Sequence, residues 1–331
     1  MTRYARQICL PEVGEDGQVA ISAAHVLVVG VGGLGAPVLQ YLVGAGVGRL
    51  TLVDGDAVTL SNLHRQTLFR ERDIGKPKVK AAADTLRALN DDCVINVYET
   101  PLGPANAATL VGHSTLVLDC ADSFATSYIL SDACQEAGVP MISASVLGFA
   151  GYVGGFCGTA PSLRAVFPDL PDRAATCATA GVMGPVVGMI GAAQAQMALG
   201  CLIGQTPSSL GQLISFDMQT FRTSGFRFDN APEPHADLKF IAANDIIAPD
   251  FVVELRDTIE APDPVCAHAQ RLTVAQFADH MPVPANDQRA VFVCRSGMRA
   301  WQAASNLRSY WDGDISLVAI GDTPSHKGQT T

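Results

Sequence analysis

Three sets of residues in this chain have the types and spacing to do chemistry, and the first is a glycine turn. "HVLVVGVGGLGAPVLQ" places Gly30, Gly32 and Gly35 in G-x-G-x-x-G spacing directly after an apolar run, with Gly33 between them. Glycine at such positions permits a tight turn and lets backbone N–H groups approach a phosphate at the start of the next helix. Asp54 closes a second apolar run nineteen residues beyond Gly35, where a carboxylate can accept hydrogen bonds from ribose hydroxyls. NAD and ATP satisfy these residues equally well, and close packing of helix on strand would also call for the glycines.

The second set follows at once. "SNLHRQTLFRERDIGKPKVKAA" carries Asn62, Arg65, Gln66, Arg72 and Lys78 just downstream of the ribose carboxylate. Hydride transfer has no need of several cations beside the phosphates. Attack on phosphorus does, because charge spreads over the equatorial oxygens and preorganised cations stabilise it. Arg72 and Lys80 suit a solvated, charged turn before a helix. Asp122 in "DCADS" follows the run "LVLD", at the carboxyl edge of a parallel sheet where ligands gather, and the same residue type also caps helices.

The third set is thiol chemistry. In "AVFVCRSGMRAWQAASNLR" a strand leads into Cys294, a short glycine-containing turn and a helix, with Arg295 and Arg299 flanking the thiol. A cysteine at a helix N-terminus among arginines sits in positive potential, which predicts a favoured, nucleophilic thiolate. The nine cysteines form no C-x-x-C pair or regular framework, and "MTRYARQICL" has no apolar signal core. Those features predict a reduced, cytoplasmic protein.

The elements that must position these residues alternate. "VLVVG", "LTLVD" and "STLVLDC" are short apolar runs of the kind buried on both faces, and helical stretches such as "GAPVLQYLVGAG" and "KPKVKAAADTLRALN" lie between them. The alternation predicts an α/β protein with a Rossmann-like, doubly wound, mostly parallel sheet. "SYILSDACQEAG" and "PMISASV" add a helix and a strand. The proline-rich "DNAPEPHADLK" reads as a linker, and the segments beyond it as a second, smaller α/β domain. The predicted organisation is residues 1–228, a linker over 229–248, and 249–331. A net charge of −10 argues against a nucleic-acid backbone as partner. "AGVMGPVVGMIGAAQAQMALGCLIG" is long and uncharged, yet Gln194, Gln196, Pro185 and its glycines favour a buried core or subunit-contact helix over a membrane span.

The ordered set "RYARQI", "VGVGGLGAP", "DGDAVTLSNLHRQ", "GKPKV", "DCADS" and "CATAGVMGPVVGMIG", spread over about 190 residues, resembles the ThiF/MoeB/HesA family. That family is related to ubiquitin-activating enzymes and adenylates the C-terminal glycine of small ubiquitin-like sulfur carriers in thiamine and molybdenum-cofactor synthesis. The resemblance implies ATP and Mg2+ as cofactors and a homodimer. It sets Gly33 against the nucleotide, Asp54 on the ribose, Asn62 and Arg65 on the phosphates with Gln66 beside them, Lys78 on the triphosphate and Asp122 with magnesium. It also implies that Arg6 reaches a neighbouring subunit's ATP. Cys177 matches a loop cysteine that some relatives link covalently to the carrier and others retain without needing. Ser123 stands where asparagine is common. Many relatives bind a structural zinc through two C-x-x-C pairs; Ser162 and Ala165 occupy the first pair's positions, so no such zinc is expected.

"CRSGMR" resembles the six-residue active loop of rhodaneses, which carries a persulfide on its cysteine, over roughly the last 80 to 90 residues. The tail departs from rhodaneses at "VVELRD" and lacks their Gly-His-Ile-Pro segment, so sulfur transfer and partner docking both remain readings of it. A persulfide donor such as a cysteine desulfurase is the partner that the first reading implies. The rivals to the whole assignment are an NAD-dependent oxidoreductase, a nucleotide-binding scaffold, and a relative that activates a tRNA base or a peptide.

Overall fold

The apolar runs become strands at the centre of a large sheet. The computed structural model describes residues 3–169, 181–234, 238–285 and 287–321. Clustering of the chain gives two compact units, divided in the main between Pro234 and His235.

In the first unit β1 (His25–Val29) leads through the glycine turn into α3 (Gly35–Ala45), then β2 (Arg49–Val53), α4 (Lys78–Leu89) and β3 (Val94–Tyr98). The short helices α1 (Ala5–Ile8) and α2 (Gly14–Ala23) precede them. After α5 (Pro104–Gly112) the chain returns to the other side of β1 as β4 (Leu116–Asp119), followed by α6 (Phe124–Ala137) and β5 (Met141–Leu147). Three further strands, β6 (Ala150–Phe156), β7 (Gln212–Asp217) and β8 (Arg222–Arg227), complete the order β3-β2-β1-β4-β5-β6-β7-β8 among the described residues. Pairs from β3 to β5 are parallel, and those from β5 to β8 are antiparallel. Strands β1 and β4 are almost entirely buried, as parallel strands covered on both faces should be. The direction of winding reverses between β1 and β4, so their carboxyl ends open a crevice of the kind that holds ligands in such sheets.

Two helices complete this unit, α7 (Leu163–Val166) and α8 (Gly184–Leu202). The second is long and apolar enough to cross a membrane, but it packs on α3 and on strands β4 to β6 as a core helix. Contact with α3 is close: a methyl built on Gly191 would lie 2.7 Å from the Leu34 carbonyl oxygen. Its polar residue Gln194 is fully buried and used, because Nε2 donates to the carbonyls of Asp119 (2.8 Å) and Ile142 (3.0 Å), and Oε1 accepts from the Cys120 thiol at 3.4 Å.

The second unit is a parallel sheet in the order β11-β10-β12-β13-β9, formed by β9 (Leu238–Phe240), β10 (Phe251–Glu254), β11 (Gln270–Arg271), β12 (Ala290–Cys294) and β13 (Ile315–Ala319). Helices α9 (Val274–His280) and α10 (Met298–Arg308) accompany it. Phe277 meets Phe292 edge to face, with ring centroids 5.0 Å apart. Part of the stretch read as linker is therefore sheet. β9 pairs with β13 and buries Leu238 and Phe240 around an exposed Lys239, a three-residue pattern too short to stand out in sequence.

Candidate active site

The glycine turn packs against the loop that follows β4. Gly30 has φ +90°, and a Cβ there would stand 2.5 Å from the Cys120 carbonyl oxygen, so only glycine lets the two loops meet at the crevice. Gly35 opens α3 directly against the backbone, where a methyl would stand 2.2 Å from the Gly30 carbonyl oxygen. Gly33 faces Val187 of α8 at 2.7 Å and the Arg65 stem at 3.7 Å, measured from the same imagined methyl. Gly32 faces the amide end of Gln66 at 3.3 Å. Packing thus requires several of the glycines, and it brings Arg65 and Gln66 onto the turn.

Asp54 is wired into the same turn. Its carboxylate accepts the Val31 N–H and the Asp56 N–H, each at 2.8 Å. Burial raises its pKa above the ordinary carboxylate value, opposed by the charge of Lys78 and by those two N–H groups. The acid expected to hold ribose therefore also fixes the backbone of the glycine turn.

Lys78 reaches this corner because Ala57 bridges Pro77, while the Lys78 N–H donates to the Asp56 carbonyl at 2.9 Å. Its ammonium is buried and donates to an Asp56 carboxylate oxygen at 2.7 Å. Sequence reasoning missed Asp56 as the partner, although "DGD" places two carboxylates within one turn. The Asn62 carbonyl accepts the N–H groups of Arg65 and Gln66, which forms the turn that presents both side chains. Arg65 donates to the Ser61 carbonyl at 3.1 Å and meets His64 at 2.8 Å. Gln66 is buried, and its Oε1 has no hydrogen-bond partner among the described residues. Arg72 is exposed, and Lys80 pairs with Glu99 on the surface, as a solvated turn would have them.

Asp122 is exposed in the turn between β4 and α6, with Ser123 beside it at the entrance of α6. The buried acid of that loop is Asp119, to which Ser143 donates at 2.8 Å and the Ala121 N–H at 3.2 Å. Burial raises its pKa despite these donors. Asp119 shapes the turn that carries Asp122. Arg6 lies exposed on α1 and makes no hydrogen bond or ion pair among the described residues. Its helix is anchored by the neighbouring Gln7, which donates to Gln18 (2.7 Å) and to the Ala45 carbonyl (3.1 Å). Cys177 lies outside the described residues.

Positions 162 and 165 do other work than metal ligation. Ser162 caps α7 by accepting the Ala165 N–H, and its own N–H and hydroxyl donate to Glu233 at 2.6 and 2.5 Å. The residues present do not fit a tetrahedral thiolate site, and no cluster of three metal-ligating side chains occurs among the described residues.

The second unit corrects one expectation. Cys294 ends β12 and is fully buried, and burial pushes its thiol above the ordinary value. The N–H groups of Ala300 (3.3 Å) and Gly297 (3.1 Å) donate to its sulfur, but they offset the desolvation only in part. Arg299 is committed to Glu260 at 2.6 Å and to the Leu255 carbonyl, which limits its help to a thiolate. The loop has the strand, turn and helix that the sequence implies, but burial disfavours the thiolate in it.

The profile of the ThiF family matches residues 4–238, the span that holds the glycine turn, Asp54, Arg65, Lys78 and Asp122. The chain belongs to the ThiF family. Among curated relatives of this ThiF-family chain, "Adenylyltransferase and sulfurtransferase MOCS3" of Bos taurus is 47% identical over 218 residues, covering 65% of this chain and 48% of the relative. "SAMP-activating enzyme E1" of Haloferax volcanii is 37% identical over 231 residues, covering 69% of this chain and 86% of the relative. The chain spans about half the length of the MOCS3 relatives that it matches. Its fold is shared with the crystal structure of E. coli MccB, at a TM-score of 0.62 and 20% identity over 71% of this chain and 73% of that one.

Proposed function

We propose that this ThiF-family chain adenylates the C-terminal glycine carboxylate of a ubiquitin-like sulfur carrier, of the kind that serves molybdenum-cofactor synthesis, and releases pyrophosphate. The observation that carries the reading is the packing of the Arg65 and Gln66 turn on Gly32 and Gly33, next to the Asp54, Asp56 and Lys78 corner. An NAD-dependent oxidoreductase would leave those cations without a task. The names of the MOCS3 and SAMP-activating relatives support the same direction.

ATP fits this site on two counts: Gly32 leaves room up to a flexible amide, and the buried, unpartnered acceptor oxygen of Gln66 would take a hydrogen bond from a ribose hydroxyl or the adenine amine. Asp54 would hold the ribose, and Asn62, Arg65 and Lys78 the phosphates. Lys78 turns from Asp56 toward the triphosphate at modest cost, because Asp56 is 73% exposed and water can solvate it. The carrier's carboxylate is already ionised at neutral pH and attacks the α-phosphorus without a general base. Pyrophosphate leaves, and the acyl adenylate remains. Catalysis is positioning plus stabilisation of charge on the phosphate oxygens by Arg65 and Lys78. Asp122 would hold Mg2+ together with the phosphates, and the ion would supply further charge neutralisation.

In the same reading the protein is a cytoplasmic homodimer in which Arg6 extends to the partner's nucleotide. Cys294 of the rhodanese-like unit would take the outer sulfur of a persulfide donor such as a cysteine desulfurase, leaving the donor as a thiolate, once its buried thiol is exposed and deprotonated. Incubating the chain with ATP, Mg2+ and candidate carriers, then weighing each carrier intact, tests the reading. One added adenylate on a carrier with a free terminal glycine is expected, and none on a carrier lacking that glycine. Absence of adduct across the carriers, alongside reduction of added NAD, would overturn it.

A further inference from the structure

A cavity of about 280 Å3 opens on the face of the large sheet across β1, β2 and β3, and it shares no lining residue with the glycine turn, Asp54, Arg65 or Lys78. Its walls follow from register. His25 pairs with Arg49 and Thr51 with Asn96, so the side chains at 25, 49, 51, 96 and 98 alternate onto one face. His25 is spent on the wall itself. Its Nε2 meets Thr51 Oγ1 at 2.8 Å, and the ring also bonds to the backbone of His113, beyond α5.

Four other polar side chains border the cavity: the guanidinium of Arg49, the imidazole of His113, the carboxamide of Asn96 and the phenol of Tyr98. None of the four side chains has a hydrogen bond or ion pair among the described residues. No carboxylate lines the space, although the chain carries 32 acidic residues against 22 Lys and Arg. Strands β2 and β3 lie at the open edge of the sheet, and Arg49, Asn96, Tyr98 and His113 are exposed there, so their polar atoms are free to meet a solute that enters the cavity. The donors outnumber what the two oxygens of a carboxylate can accept, and they suit the three terminal oxygens of a phosphate group. Leu110 adds an apolar surface, and the volume exceeds that of a bare phosphate ion.

We infer that this cavity is a binding site for a small phosphomonoester, with Arg49 as the main anchor, His113, Asn96 and Tyr98 as further donors, and the ester's body against Leu110. The site is separate from the nucleotide crevice and does not depend on the adenylation chemistry.

Phenyl phosphate, inorganic phosphate and benzoate are suitable probes on the full chain labelled with 13C in its histidine rings, at fixed ionic strength. The ring signals of His25 and His113 should shift saturably with phenyl phosphate, less tightly with inorganic phosphate, and about tenfold more weakly or worse with benzoate. Arg49→Gln should weaken phenyl phosphate by about tenfold, and because Arg49 is exposed the variant should keep the wild-type spectrum elsewhere. Saturating MgATP should leave the titration unchanged. Shifts that track added chloride, that survive Arg49→Gln, that are matched by benzoate, or that MgATP abolishes would each overturn the inference.

Discussion

Replacing Lys78 with methionine removes the cation from a corner that holds two carboxylates. The ammonium lies 2.7 Å from Asp56, with the lysine side chain 8% and the aspartate side chain 73% exposed. Water screens that pair, so its own loss amounts to no more than about 1 kcal/mol of stability. In the proposed reaction the triphosphate depends on Lys78 more heavily. Losing one preorganised group where transition-state charge develops costs about 3 to 4 kcal/mol, or about 100- to 1000-fold in rate. Lys78→Met should therefore lower carrier-dependent exchange of pyrophosphate into ATP by that factor, while urea unfolding at pH 7 shows a deficit near 1 kcal/mol. The deficit should depend on pH. Burial raises the Asp54 pKa and Lys78 opposes the rise, so stability from Asp54 is full below the unfolded carboxylate pKa and declines as pH passes its folded value. Without Lys78 that decline grows, and the variant should trail the wild type further at pH 7 than at pH 4. Asp56→Asn is the control, since it leaves the lysine free for phosphate and should hold or raise ATP affinity. Exchange within about threefold of wild type in Lys78→Met, or an equal stability deficit at both pH values, would refute the reasoning.

Gly30→Ala forces a methyl against the Cys120 carbonyl at a φ of +90° and should cost about 3 kcal/mol, read by urea unfolding; a change below about 0.5 kcal/mol would show that the two loops are free to part. Glu254 is buried; desolvation opposes its ionisation, yet the Arg256 pair and the N–H groups of Arg256 and Val265 hold its pKa below the ordinary value. Glu254→Gln should destabilise the second unit by about 3 kcal/mol at pH 7, and the deficit should shrink as pH falls through the folded Glu254 value; a pH-independent deficit would contradict the charged pair. Iodoacetamide at pH 7.5 should modify exposed Cys9 readily and Cys294 at least about tenfold more slowly than in the urea-unfolded chain, measured by peptide mass; faster labelling of Cys294 would mean that an activated thiolate exists.

Much of the first unit was legible because its signals are local. "VLVVG", "LTLVD" and "LVLD" are runs buried on both faces, and Gly30, Gly32 and Gly35 fall within one short turn. What escaped depends on residues distant in sequence. Lys78 meets Asp56 across 22 positions, Gln194 reaches the Asp119 carbonyl across 75, and Glu233 meets Ser162 across 71. No periodicity encodes such pairs. The three-residue β9 lies inside the proline-rich stretch that reads as linker, because two buried side chains make no pattern. At Cys294 the flanking arginines are visible in sequence and the burial is not, so the sequence displays the positive potential without the desolvation that opposes it. Arg65 and Asp122 were legible as candidates by type and spacing, and the fold sets them on the loops after β2 and β4.

Exchange of labelled pyrophosphate into ATP, run with and without a ubiquitin-like carrier ending in free glycine, tests the central claim most directly. The account predicts label in ATP only when the carrier is present, and loss of that label in Arg65→Ala with ATP binding retained. Carrier-independent exchange, or full exchange in Arg65→Ala, would contradict it.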